Sequence, residues 1–211
     1  MRSALPWLAL LGIAGIASVA LTGIGLAVAL SSPSKGVDPV YAFTIAGAYP
    51  IPLATAARLV EVARAVGTHP YWLADLIHYE SGGSWSSSKR NPQPPHAVGL
   101  IQFLPSTARR LGTTDQALSE LSALEQLDWV ERYLLTVELG EWPDDPRPVP
   151  LDTLQALAMS VYHPPSRTSD PDQPHPPTPR GARPAGTPGE YLRDMLRFGG
   201  KLTPLTGATT T

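Results

Sequence analysis

The 211 residues carry 16 basic and 18 acidic side chains, and a net charge of −2 argues against a nucleic-acid binder, which would normally present a basic stripe. There is no cysteine, so disulfides, thiol catalysis and cysteine-held metals are excluded. Ordinary apolar content suffices for one modest domain plus appendages, and much of the proline sits in a single late tract.

From Trp7 to Leu30 the chain has no charged residue. As a helix this run reaches roughly 36 Å, enough to cross a bilayer with some tilt. Arg2 and the amino terminus precede it, and Lys35 and Asp38 cancel after it, so the charge asymmetry points to an outward C-terminal part. A cleaved signal peptide is the rival reading, because Ala27-Val28-Ala29 offers a small-x-small site. The run exceeds the roughly 7–15 apolar residues of a usual signal core, which favours a retained anchor. Residues 31–49 mix Ser, Pro and Gly and read as a linker or a loosely packed entry strand.

Periodic helices then begin. Ala56, Leu59, Val60 and Ala63 form one apolar stripe, stopped by Gly67. Thr68 is the expected N-cap of a second helix, with Pro70 in its first turn and Gly82-Gly83 at its end. Ser84 to His96 reads as a loop, followed by a short apolar run from Gly99 to Phe103. Pro105 opens a short helix that Gly112 closes. A longer amphipathic helix follows, with Leu124, Leu127, Val130, Leu134 and Leu135 inward. Asp152 is the expected cap of a helix bearing Leu154, Leu157, Ala158 and Val161. Pro164 to Arg183 is too polar and proline-rich to bury a core and predicts an extended surface loop. Thr187-Pro188-Gly189-Glu190 has capping-box spacing ahead of a last short helix. With no convincing set of strands, the expected class is mainly α.

Glu80 is the most informative residue. Leu73, Leu76, Ile77 and Glu80 fall at i, i+3, i+4 and i+7, so the carboxyl continues an apolar stripe. Lost solvation and the negative end of the helix dipole both raise a carboxyl pKa, as proton donation near neutral pH requires. A plain reading, a frayed terminal residue, stands beside the catalytic one.

Tyr79-Glu80-Ser81-Gly82 is followed by Gly99-Leu100-Ile101-Gln102-Phe103-Leu104-Pro105-Ser106-Thr107-Ala108, and later by Ala158-Met159-Ser160-Val161-Tyr162-His163. In this order the motifs, spanning Ile51 to His163, resemble the lytic transglycosylases of the goose-type lysozyme-like superfamily, the phage-type variants most of all. The resemblance implies a lysozyme-like α-helical domain acting on peptidoglycan glycan strands; the sequence has no metal-spaced His/Asp cluster and no phosphate-binding glycine loop, so no metal or cofactor is expected. It implies Glu80 as the single catalytic acid/base. Ser81 matches the serine that orients the acid or the substrate, Gly99 and Gln102 match the groove wall, and Tyr162 matches the aromatic hydroxyl near the acid. Each also has a structural reading: a helix end for Ser81, a turn for Gly99, a surface amide for Gln102, core packing for Tyr162. Trp85 is either a sugar-stacking ring or a local hydrophobic plug. His163 departs from the family's usual Asn and is expected to face solvent, and a proline tract follows where the family has a Gly-containing turn.

The chain thus divides into an anchor or uncleaved signal (1–30), a linker (31–49), a lysozyme-like catalytic domain (50–163), a Pro-rich loop (164–187), a C-terminal helix (188–200) and a disordered tail (201–211). A two-carboxylate hydrolase needs a partner acid roughly 5–9.5 Å across the bond. Asp75 lies about 140° round the helix from Glu80, and no other acid occurs from Glu80 to Thr107. This suits the transglycosylase route of the family. Hydrolytic lysozyme chemistry, a non-catalytic glycan-binding membrane protein and a secreted lysin remain open alternatives. The expected partners are glycan strands, a membrane through residues 7–30 in the virion or bacterial inner membrane, and other virion or envelope-complex proteins, with no nucleic acid.

Overall fold

The computed structural model describes residues 38–93, 95–141, 148–164, 168–174 and 186–203, all within the unit Pro33–Thr211. The expected anchor over residues 7–30 lies outside them. Among the described residues no helix is long and apolar enough to cross a membrane.

These residues build a mainly α fold. Its helices are α1 (Pro39–Ala48), α2 (Leu53–Ala65), α3 (Pro70–Glu80), α4 (Pro105–Arg110), α5 (Asp115–Glu120), α6 (Ala123–Glu138), α7 (Leu154–Tyr162) and α8 (Pro188–Asp194), the last running into a π-helical turn, Met195–Gly199. The only extended pairing among described residues is two isolated bridges, Arg90 with Val98 and Val98 with Phe103. Helix α2 packs against α1, α3 and α6, while α3 also meets α7 and the π turn. The stripe read from α2 is buried as expected, and Leu73, Leu76 and Ile77 of α3 are fully enclosed.

Several local expectations shift. The linker read over 31–49 contains α1. Its residues show no polar–apolar period, so nothing in the sequence separated helix from loop. Thr68 does not cap α3. Its N–H bonds to the Ala63 carbonyl at 2.8 Å and finishes α2, and His69 caps instead, Nδ1 accepting from the Tyr71 N–H at 3.2 Å. Likewise Thr153, not Asp152, caps α7 by accepting from the Ala156 N–H at 3.0 Å. The capping box at Thr187 and Glu190 forms as expected, with both reciprocal bonds made. On α6 the buried face is Gln126, Leu127, Val130, Tyr133, Leu134 and Val137, so Leu124 is 39% exposed and Leu135 only half-buried. A polar residue, Gln126, occupies an inward place that hydrophobic periodicity assigned elsewhere.

Gln126 holds the loop that follows α3. Its Oε1 accepts the Leu100 N–H at 2.7 Å, and its Nε2 donates to the carbonyls of Leu118 at 2.8 Å and Ser87 at 3.3 Å. This fully buried amide passes directly over Gly99, where a Cβ would lie 2.7 Å from Cδ, and φ there is +88°. Gly99→Ala therefore meets both a backbone penalty and a side chain that cannot retreat without losing three bonds. We expect a loss of about 3 kcal/mol, read as a fall in the midpoint of urea unfolding at unchanged slope.

The C-terminal end is tied down by Asp75. This fully buried carboxylate accepts from the Tyr49 hydroxyl and from the N–H groups of Lys201 (2.9 Å), Leu202 (3.2 Å) and Thr203 (2.8 Å). Residues 201–203 are thus ordered, contrary to the tail expected from residue 201, and 204–211 lie outside the description. Gly199 lets the π turn press on α3, since a Cβ there would lie 3.0 Å from the Tyr79 Cα. The Pro-rich loop is also partly secured. The Ser169 carbonyl accepts from Gln155 at 2.6 Å, and the Pro171 carbonyl from the Gly189 N–H at 2.8 Å.

Candidate active site

Glu80 is the last residue of α3, and Tyr191 of α8 reaches its carboxyl. Between the two helices opens a cleft of about 590 Å3 whose lining includes Tyr79, Glu80, Tyr162, Tyr191, Arg193 and Asp194. Glu80 keeps part of its surface open to this cleft, while protein atoms crowd its carboxyl. Burial pushes the carboxyl pKa up to about 7, against an opposing pull from the Tyr191 hydroxyl, which donates to Oε1. The rise that the stripe and the helix end predicted is therefore present, and burial is its main cause.

Three tyrosines surround the acid. Tyr191 is enclosed and stacks on Tyr162, with centroids 4.2 Å apart and planes 18° from parallel. It also meets Tyr79 edge to face at 5.5 Å. Burial, and then the Glu80 charge, raise all three hydroxyl pKa values, so they stay protonated donors near neutral pH. Of the three, Tyr191 donates to the carboxyl and is placed to stabilise it once its proton has gone. Tyr191 was not among the residues singled out from the sequence. Glu190 fills the capping box and explains why α8 starts where it does, but nothing local indicates that the next residue reaches Glu80 across 111 positions. Replacing Tyr191 by Phe removes the donor that holds the Glu80 pKa down, so a carboxyl-carbon NMR titration should place it above the parent's value of about 7.

Of the other expected site residues, Ser81, Trp85, Gly99 and Gln102 do not line this cleft. Tyr162 lies in it, 39% exposed. Ser81 is fully buried, its Oγ accepting the Trp85 N–H at 3.2 Å. It supports the loop behind the acid and has no surface for substrate. Trp85 is a plug rather than a stacking platform. It is 4% exposed, packs 5.2 Å from the Tyr49 ring, and donates from Nε1 to Nδ1 of His78 at 3.0 Å. Gly99 shapes the loop by admitting Gln126. Gln102, at φ +54°, turns its amide back into that loop, donating to the Gly99 carbonyl at 2.8 Å and more weakly to Lys89 at 3.3 Å. His163 is buried at 4% exposure, contrary to the solvent-facing expectation, because it closes α7 against the core. Two further carboxylates do reach the cleft, from α8 and not from the stretch 80–107. Glu190 is engaged by the Thr187 N–H at 2.7 Å, and Asp194 lies close enough to raise the Tyr79 pKa.

Set against models of protein families, curated proteins and solved structures, the chain matches none of them.

Proposed function

We propose that this chain is a membrane-tethered lytic transglycosylase of lysozyme-like fold, which cleaves the MurNAc-GlcNAc β-1,4 bond of peptidoglycan to open the wall locally, for phage entry or for envelope machinery. The observation that carries the reading is the Glu80 carboxyl, held near neutral pKa in an open cleft. The motif order Glu80-Ser81, Gly99 to Gln102 and Tyr162 supports it independently.

In this mechanism the protonated Glu80 donates to the glycosidic oxygen as the bond to the MurNAc anomeric carbon breaks. The hydroxyl of Tyr191 then hydrogen-bonds the new carboxylate. Glu80 next takes the proton of the sugar's own C6 hydroxyl as that oxygen closes on the anomeric carbon. The ring product is a 1,6-anhydromuropeptide, no water is consumed, and Glu80 ends protonated again.

A hydrolytic lysozyme is the second reading, and Asp194 at the same cleft is the observation that favours it. Mass analysis of digested sacculi separates the two, because an anhydro product is one water lighter than a reducing-end product. Anhydro products that persist in Asp194→Asn support the transglycosylase. Reducing-end products lost in that variant would establish the hydrolase.

A further inference from the structure

Helix α1 is apolar all round yet covered on one side only. Its ten residues contain no charged side chain, the composition of a helix enclosed by protein or lipid. Ala42, Ile45 and the following Tyr49 enter the core, whereas Val40 is 64% exposed and Phe43 50%. Pro39, Val40, Phe43, Gly47 and Pro50 recur at helical spacing along the outer side, and all are exposed. Beside this face a second cleft of about 590 Å3 has Asp38, Tyr41, His69, Tyr71 and Trp72 among its lining, together with Leu202 and Thr203. Tyr41 meets Tyr71 edge to face at 5.2 Å, and His69 lies 5.5 Å from Trp72. The Asp38 charge is engaged as the α1 cap, accepting the Val40 N–H at 2.9 Å. Tyrosine and tryptophan, apolar bodies with a polar tip, are the side chains that gather where a bilayer meets water.

Chain length limits how far this face can lie from the uncharged run. The uncharged run Trp7–Leu30 is followed by only eight residues, Ser31 to Asp38, before α1 starts. Fully extended they span at most about 28 Å. Resting on the reading of residues 7–30 as a membrane anchor, we propose that the outer face of α1 and the adjoining aromatic cleft dock on the headgroup–acyl boundary of the bilayer that holds the anchor. Helix α3 starts at this cleft and ends at Glu80 ten residues later, about 15 Å along its axis. Docking one end of α3 would therefore hold the Glu80 cleft at a set remove from the lipid.

Because the chain has no cysteine, single nitroxide labels read the geometry directly in the full-length protein, reconstituted in vesicles of phosphatidylcholine and phosphatidylglycerol. Labels at Phe43→Cys, Val40→Cys, Ser18→Cys and the exposed control Leu139→Cys are compared by their accessibility to oxygen and to a water-soluble nickel chelate. The proposal expects position 18 deep in the bilayer, and positions 40 and 43 with an oxygen-to-nickel ratio severalfold above position 139. Position 18 deep with 40 and 43 resembling 139 would overturn the docking and leave the anchor standing. A water-like reading at position 18 would overturn the anchor and the docking together. Labels at 40 and 43 shielded from both reagents would mean that protein, such as a second copy of the chain, covers the face, and would also overturn it.

Discussion

Glu80→Gln is expected to lose glycan-strand cleavage by a factor of about 10²–10⁴ and, at pH 8, to melt at a higher temperature than the parent. The two effects share one cause. In the folded chain the Glu80 carboxyl titrates near 7, against 4.5 for an unperturbed glutamate. Between these values the native state binds more protons than the unfolded state, so stability falls as pH rises through that window and the full cost remains above pH 7. A shift of this size corresponds to about 3 kcal/mol at most, less what water in the open cleft returns. Glutamine cannot ionise, and its amide oxygen still accepts from Tyr191, so the variant escapes the cost. The gain should vanish below about pH 4, where Glu80 is protonated in both states. In the parent, kcat/KM should decline as pH rises through about 7, because the donor must hold its proton. Turbidity and muropeptide assays beside calorimetry at the two pH values test both halves. Equal cleavage by Glu80→Gln would remove this residue from the mechanism. No cleavage by either protein would favour a domain that only binds glycan.

Asp75→Ala is expected to be the most destabilising single change away from the cleft, by about 3–5 kcal/mol. It strips one hydroxyl and three backbone N–H groups of their shared acceptor inside the protein. The melting temperature should drop by on the order of 10 °C for a domain of this size. Asp75→Asn retains one acceptor oxygen and should lose less. Because Asp75 anchors residues 201–203, hydrogen exchange at their amides should speed up in both variants before global unfolding does. Unchanged protection there would show that the carboxylate does not hold the C-terminal segment.

The local grammar of the helices was legible in the sequence. Apolar spacing located α2 and α3, the Thr187–Glu190 capping box located α8, and the stripe Leu73, Leu76, Ile77, Glu80 aimed one carboxyl inward. These signals depend on residues three or four apart, which one helical turn brings together whatever the rest of the chain does. The mainly α class followed from them, and so did the direction of the Glu80 shift. Tertiary structure decided what surrounds the acid. Tyr191 meets Glu80, and Gln126 clamps the loop at Leu100, only because α8 and α6 pack where they do. The same packing sends Ser81 into the interior and leaves Tyr162 beside the cleft, although both matched the motif, and it makes the loop aromatic Trp85 a plug. Burial belongs to the whole fold and spacing to one turn of helix, so the sequence could single out the Glu80 carboxyl as inward-facing but not the side chains that hold it.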